Sequence, residues 1–82
     1  MTYSINSTEI YTLLSWLRSA RVDQGLSMRD LASRLGKPHS YVQKVEQGER
    51  RLDIVEYVWY CQSLNIKPET GLALITGLKT SI

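Results

Sequence analysis

Five polar side chains recur at helical spacing in the middle of the chain: His39, Ser40, Gln43, Lys44 and Gln47. On a helix they share one side, where they offer hydrogen-bond donors and acceptors. Lysine can donate to guanine O6 and N7, glutamine can pair with adenine, and serine can bond in either direction. His39, Ser40, Gln43 and Lys44 therefore favour the reading of base edges in a DNA groove. The alternative for each is an exposed helix residue without a partner.

The chain lacks the combinations of residues that catalysis or metal binding would need. The chain has one histidine and one cysteine, so a Cys/His metal cluster is excluded, and we expect no cofactor. His39 has no second ligand, acidic partner or nucleophile at a suitable spacing. Cys61 cannot form an internal disulfide, and we expect it to be a small buried apolar residue. We predict that the protein is not an enzyme.

The polar side chains belong to a segment, Leu26 to Gly48, that reads as two short capped helices joined by a tight turn. Ser27 can cap the first of these helices, and Asp30 is placed to return a hydrogen bond. Gly36 then closes the helix. The inner face of this helix is predicted to be Leu31, Ala32 and Leu35.

The second helix of this segment carries the polar side. Pro38 fits its start, because a missing amide hydrogen costs nothing there. The helix is predicted to run to about Gln47, with Val42 and Val45 one turn apart on its buried side. This order of cap, small residue, glycine turn and apolar pair is a helix-turn-helix signature over residues 27–47.

Three further amphipathic segments flank the motif. The first helix is predicted to start at Ser7 and stop at Gly25. The fourth is predicted to start at the capping pair Asp53 and Glu56 and to end near Asn65. The fifth is predicted to start at Pro68 and stop at Gly77. The predicted inward residues are Ile10, Leu13, Leu14, Leu17 and Ala20 in the first helix, Ile54, Tyr57, Val58, Cys61 and Leu64 in the fourth, and Leu72 and Ile75 in the fifth. No strand pattern or repeat is present, so the sequence predicts an all-α fold of five helices.

Length and composition fit one small domain. The 82 residues, of which 43% are hydrophobic, can form a modest core, and we expect a single domain over residues 1–82. The chain does not open on a basic segment followed by an apolar run, and no stretch approaches the roughly 18 apolar residues of a membrane span. We therefore expect a soluble, cytoplasmic protein.

The net charge of +2 is too small to indicate nucleic-acid binding by itself, so the position of the charge matters more. Lys37, Lys44, Arg50 and Arg51 lie on or near the second helix of the motif. An ordinary solvated mixture of charges would also produce such a cluster. The predicted phosphate contacts are Ser27 and Met28, through backbone amides, together with Lys37, Gln47, Arg50 and Arg51.

The segment from Leu26 to Gly48, followed by Glu49-Arg-Arg, resembles the Cro and lambda-repressor-like helix-turn-helix family, also called the Xre family. The resemblance covers residues 13–75. It is carried by the Leu-Ser-x-x-x-Leu-Ala segment from Leu26, by the Glu-x-Gly end of the third helix at Glu46, and by Arg21 in the first helix. Pro38 departs from the Ser or Thr cap usual in the family, and His39 from the frequent Gln, so the resemblance assigns no DNA sequence preference.

The resemblance implies a compact five-helix lambda-repressor-like domain in which helices 2 and 3 form the helix-turn-helix. It also implies a sequence-specific, DNA-binding transcription regulator. We expect a repressor, prokaryotic or phage-encoded, that occupies a palindromic operator as a homodimer in the nucleoid. By the same resemblance, Arg21 and Glu46 form an ion pair that braces helix 1 against the end of helix 3.

The C-terminal half offers a surface for the expected dimer. Val55 and Trp59 face away from the predicted core of helix 4, and Leu74, Leu78 and Ile82 add further apolar side chains. Alternatively, Trp59 packs over helix 5 of its own chain.

A competing hypothesis is a protein-interaction module with an Xre-like fold, such as an antitoxin or an antirepressor-binding domain. Its main partner would be a toxin, an antirepressor or polymerase, and its DNA contact would be secondary. Charge separates the two hypotheses, because a protein-binding module has no need of Lys44, Arg50 and Arg51 on one face.

Overall fold

The computed structural model describes residues 8–77, and this range forms five α-helices. They are α1 (Thr8–Asp23), α2 (Met28–Leu35), α3 (Ser40–Glu46), α4 (Ile54–Ser63) and α5 (Pro68–Gly77). No strand occurs among these residues, which confirms the predicted all-α fold with α2 and α3 as the helix-turn-helix. None of the helices in this range is long and apolar enough to cross a membrane.

Reciprocal caps fix the starts of α2 and α4. Ser27 Oγ accepts a hydrogen bond from the Asp30 amide at 3.0 Å, and the Asp30 carboxylate accepts one from the Ser27 amide at 2.9 Å. Asp53 and Glu56 make the same exchange at the start of α4. Gly36 ends α2 with a φ of 67°, a left-handed conformation that favours glycine. These predicted start and stop signals are confirmed.

One core joins the first four helices. Its buried hydrophobic residues are Leu14, Leu17, Leu31, Ala32, Val42, Val45, Tyr57, Tyr60, Cys61 and Leu64. Helical periodicity predicted nearly all of these positions. Cys61 is fully buried as expected, and this burial raises the pKa of its thiol. The thiol is therefore a packed apolar group rather than a reactive one.

The predicted inward face of α4 is wrong at its first residue. Ile54 is 64% exposed, whereas Tyr60, which was not predicted to be inward, is fully buried. Ile54 is the first residue of α4, and there it lines an open groove with Leu13 and Leu72. The core instead contacts the middle and the C-terminal half of α4.

Helix α3 begins two residues after its predicted start at Pro38. Pro38 does not begin α3, because the helix starts at Ser40 and His39 holds the capping position without a side-chain hydrogen bond. The Pro38 carbonyl instead accepts a hydrogen bond from the Tyr41 amide at 2.9 Å, forming the turn that precedes the helix. Ser7, the predicted cap of α1, lies outside the described residues.

Helix α5 packs on α1 through a glycine. Gly71 is buried, and the predicted inward residue Leu72 is 44% exposed, so the prediction for Leu72 is wrong. A Cβ at position 71 would lie against the Tyr57 hydroxyl and 2.6 Å from a ring carbon of Trp16. The Tyr57 hydroxyl also donates to the Pro68 carbonyl at 2.7 Å, which ties the start of α5 to α4. The glycine that weakens helix propensity is thus the residue that lets α5 approach the other helices.

Gly71→Ala is expected to lower the free energy of unfolding, although alanine is the better helix former by about 1 kcal/mol. The new methyl group would meet Tyr57 and Trp16, and overpacking of this kind costs about 1 to 3 kcal/mol. Urea unfolding followed by circular dichroism measures the change. Gly77→Ala is the matched control, since nothing lies within 4 Å of a Cβ at the end of the same helix. Equal effects of the two substitutions would contradict the close-packing explanation.

Candidate nucleic-acid interface

A buried ion pair fixes the end of α3 against α1. Arg21 Nε lies 2.6 Å from Glu46 Oε2, and Arg21 Nη2 lies 3.1 Å from Glu46 Oε1. The remaining guanidinium nitrogen, Nη1, donates to the Leu26 carbonyl at 2.7 Å. The two side chains are only 9% and 5% exposed. The structure thus brings together the two residues that the family resemblance paired, and adds the chain just before α2 to the same contact.

Helix α3 buries its apolar side and exposes its polar side. Val42 and Val45 are 0% and 1% exposed, whereas His39, Gln43, Lys44 and Gln47 are exposed, and Ser40 is half-buried at the first turn. No acidic group of residues 8–77 lies within ion-pair distance of Lys44. The predicted base-reading residues therefore form one accessible face of a helix whose other face is anchored in the core.

Ser27 uses its backbone amide within the cap of α2. This amide donates to the Asp30 carboxylate at 2.9 Å, and the predicted phosphate contact of Ser27 stays a prediction. Hydrogen bonding by Ser27, first through its backbone, holds the pKa of Asp30 below its ordinary value, which keeps a negative charge at this helix end. The Met28 amide, at the first helical position, is among those that a helix leaves unpaired. Met28 remains the candidate backbone donor.

The predicted cations around α3 lie in different surroundings. Lys37 Nζ lies 5.4 Å from the centre of the Tyr41 ring, and Arg50 Cζ lies 5.5 Å from the same centre. Arg50 also forms an ion pair with Glu56, with 2.6 Å between Nη2 and Oε2. Within the described part of the chain, no carboxylate pairs with Arg51. Arg51 is therefore the more available of the two loop arginines.

Sequence reasoning missed the Arg50–Glu56 pair. The sequence pattern indicates for Glu56 only the hydrogen bond to the cap of α4, which uses its Oε1 atom. Its second oxygen is the one that binds Arg50. The six-residue spacing crosses a loop and a helix start, so no helical periodicity could have indicated the contact.

The residues of the expected dimer surface are exposed where the structure describes them. Val55, Trp59 and Leu74 are 51%, 55% and 38% exposed, and Leu78 and Ile82 lie outside the described residues. Trp59 lines a shallow cleft of about 360 Å³ beside Leu35 of α2. More than half of the surface of this residue is in contact with solvent.

Comparison with protein-family models matches residues 17–70 to a family described as helix-turn-helix. A solved structure of an XRE-family like protein from Pseudomonas syringae pv. tomato str. DC3000 is 36% identical, with a TM-score of 0.79 over 85% of each chain. The restriction-modification controller protein C.AhdI from Aeromonas hydrophila is 31% identical, with a TM-score of 0.71 over 79% of this chain and 98% of that one.

A third solved structure shares the fold at lower identity. The restriction-modification controller protein C.Esp1396I, as a tetramer in complex with its natural 35 base-pair operator, is 17% identical. Its TM-score is 0.74 over 88% of this chain and 95% of that one. No curated protein matches the sequence.

Arg21 and Glu46 are expected to be energetically coupled. Removing one partner of a buried pair leaves a charge without compensation and costs roughly 3 to 5 kcal/mol, whereas an exposed pair contributes at most about 1 kcal/mol. A double-mutant cycle with Arg21→Ala and Glu46→Ala, measured by urea unfolding, gives the coupling energy.

Arg18 supplies the control for this cycle, because it approaches the same carboxylate from a solvated position. Its Nε lies 3.9 Å from Glu46 Oε1, and its side chain is 67% exposed. Arg18→Ala should cost about 1 kcal/mol or less. A coupling energy between Arg21 and Glu46 that is no larger than the loss of stability caused by Arg18→Ala would contradict the bracing role.

Proposed function

We propose that this chain, which belongs to the XRE-like helix-turn-helix family of transcription regulators, is a repressor that binds a palindromic operator as a homodimer. By occupying the operator it would exclude polymerase or another factor. The observation that carries the proposal is the accessible polar face of α3, held in place by buried valines and by the Arg21–Glu46 pair. The similarity to C.AhdI, a restriction-modification controller, supports a regulatory role.

Base readout is assigned to the exposed side of α3. A recognition helix enters a major groove about 12 Å wide and presents polar side chains to base edges. Lys44 supplies a donor for guanine and Gln43 a bidentate partner for adenine, while His39 and Ser40 stand at the helix start, where recognition helices approach the bases. The exposure of this face supports these assignments.

Phosphate contacts are assigned around the rim of this face. Arg51 has no acidic partner in the described range, and Lys37 and Gln47 are exposed on either side of α3. The Met28 amide adds a donor at the start of α2. Contacts of this kind set the register of the protein on DNA without reading its sequence. The site of action would be the nucleoid of a prokaryotic cytoplasm.

Dimerisation is assigned to the exposed apolar side chains Val55, Trp59 and Leu74. A small domain with one recognition helix makes few base contacts, and two copies related by a two-fold axis double them. Two recognition helices then lie about 34 Å apart on one face of the DNA. A two-fold axis through this surface would place Trp59 near its own symmetry mate.

Selection of random duplex DNA by the purified protein tests the function and supplies the operator. Lys44→Ala should then relax preference at one operator position by about 1 to 3 kcal/mol, whereas Arg51→Ala should weaken all sequences alike and reduce the salt slope by about one unit. Binding of both variants to operator and scrambled DNA over a salt series measures the difference. Failure to enrich any sequence would favour the protein-interaction module, and equal losses on both DNAs for Lys44→Ala would refute its base-reading role.

Trp59→Glu should yield a folded monomer that binds the operator much more weakly. The introduced charge would appear twice at a two-fold interface and repel itself. Sedimentation and circular dichroism on the variant separate a loss of association from a loss of folding. Tyr11→Glu is the control, because Tyr11 is 56% exposed on α1 and lies outside the assigned interface. A wild-type protein that sediments as a monomer at tens of micromolar would overturn the dimer.

A further inference from the structure

The two carboxylate oxygens of Glu56 have separate partners at the start of α4. Oε1 accepts a hydrogen bond from the Asp53 amide at 2.9 Å, which completes the helix cap. Oε2 lies 2.6 Å from Arg50 Nη2. The Glu56 side chain is 15% exposed and that of Arg50 is 44% exposed. The Glu56 carboxylate, which the helix cap already fixes, therefore holds the Arg50 guanidinium at a defined place.

Arg50 in turn connects α4 to α3. Its Nη1 donates to the Arg51 carbonyl, and its guanidinium carbon lies 5.5 Å from the ring centre of Tyr41 in α3. A guanidinium over an aromatic ring at this distance is a stabilising contact. The contacts Glu56 to Arg50 to Tyr41 thus form a second brace on α3, on a different element from the Arg21–Glu46 pair.

The same contacts divide the cations of the loop into two kinds. Arg50 has a carboxylate in direct contact, and the pair has no net charge. Arg51, the next residue, has no such partner among residues 8–77. DNA affinity that does not depend on sequence comes almost entirely from cations that displace counterions from phosphates. An arginine compensated by its own protein contributes little to that term.

We propose that Glu56 is a specificity-determining positioning residue, which keeps Arg50 on Tyr41 and withholds its charge from the DNA backbone. Released from Glu56, Arg50 would add a phosphate contact to every DNA sequence. At the same time α3 would lose a brace that orients its base-reading side chains. The ratio of operator to nonspecific affinity is therefore higher with the carboxylate than without it. This inference rests on the proposed DNA-binding function.

Glu56→Gln tests the proposal without removing the helix cap, because glutamine serves equally well at this position of a capping box. On a nonspecific duplex, the dependence of log affinity on log salt should steepen by about 0.9 for the one cation released. Between 50 and 200 mM salt, this adds roughly 3.5-fold to the loss of affinity. The ratio of operator to nonspecific affinity at low salt should fall.

The double variant identifies Arg50 as the cation concerned. Adding Arg50→Gln to Glu56→Gln should return the salt slope to the wild-type value. The effect of Arg50→Gln on the slope should be much smaller in the wild-type background than in the Glu56→Gln background. Asp53→Ser is the matched control, since it removes a carboxylate from the same helix end, keeps a good cap residue and should not couple to Arg50→Gln.

The outcomes separate this proposal from the function on which it rests. Salt-dependent binding in which Arg50→Gln lowers the slope equally in both backgrounds would overturn the role of Glu56 and leave the DNA-binding function in place. A slope that steepens equally for Asp53→Ser would also overturn it, because any lost acid would then suffice. A wild-type protein without salt-dependent DNA binding would overturn both.

Discussion

The buried contact between Arg21 and Glu46 is the constraint on which the position of the polar face of α3 depends. All three guanidinium nitrogens of Arg21 have an acceptor, two on Glu46 and one on the Leu26 carbonyl. These three hydrogen bonds offset part of the cost of removing both charges from water, which an unpaired ion would not recover. One side chain of α1 thereby contacts both the residue before the cap of α2 and the last residue of α3. Both helices of the motif are therefore held against the same point of α1.

Helix α3 needs this external support because it spans only Ser40–Glu46. Isolated helices shorter than about 12 residues are marginal in water, so most of its stability comes from packing. Val42 and Val45 supply the apolar anchor on its inner side, and no side-chain cap assists its start at His39. The polar face is therefore oriented by tertiary contacts rather than by the helix itself. Loss of a distant brace would therefore disturb the orientation of this face without any change in its own residues.

Local signals in the sequence predicted the elements well, and long-range contacts account for what they missed. Caps at Ser27 and Asp53 and the turn at Gly36 depend on neighbouring residues, so the pattern reveals them directly. The exposure of Leu72 could not be foreseen, because α5 approaches the other helices through Gly71, and a glycine carries no apolar signal. Arg21 and Glu46 are 25 residues apart, and only the family resemblance predicted that they pair. Nothing in the sequence predicted the partner of Arg50.

The net charge of +2 understates what the region around α3 can present to DNA. Four carboxylates between residues 27 and 56 accept internal hydrogen bonds: Asp30, Glu46, Asp53 and Glu56. Two of these acids face an arginine, and the other two cap helix starts, where the helix dipole favours negative charge. Lys44 and Arg51 have no such compensation in the described range. These four acids thus hold the motif together, whereas Lys44 and Arg51 keep uncompensated charge at the surface, and a count of charges along the sequence does not distinguish the two groups.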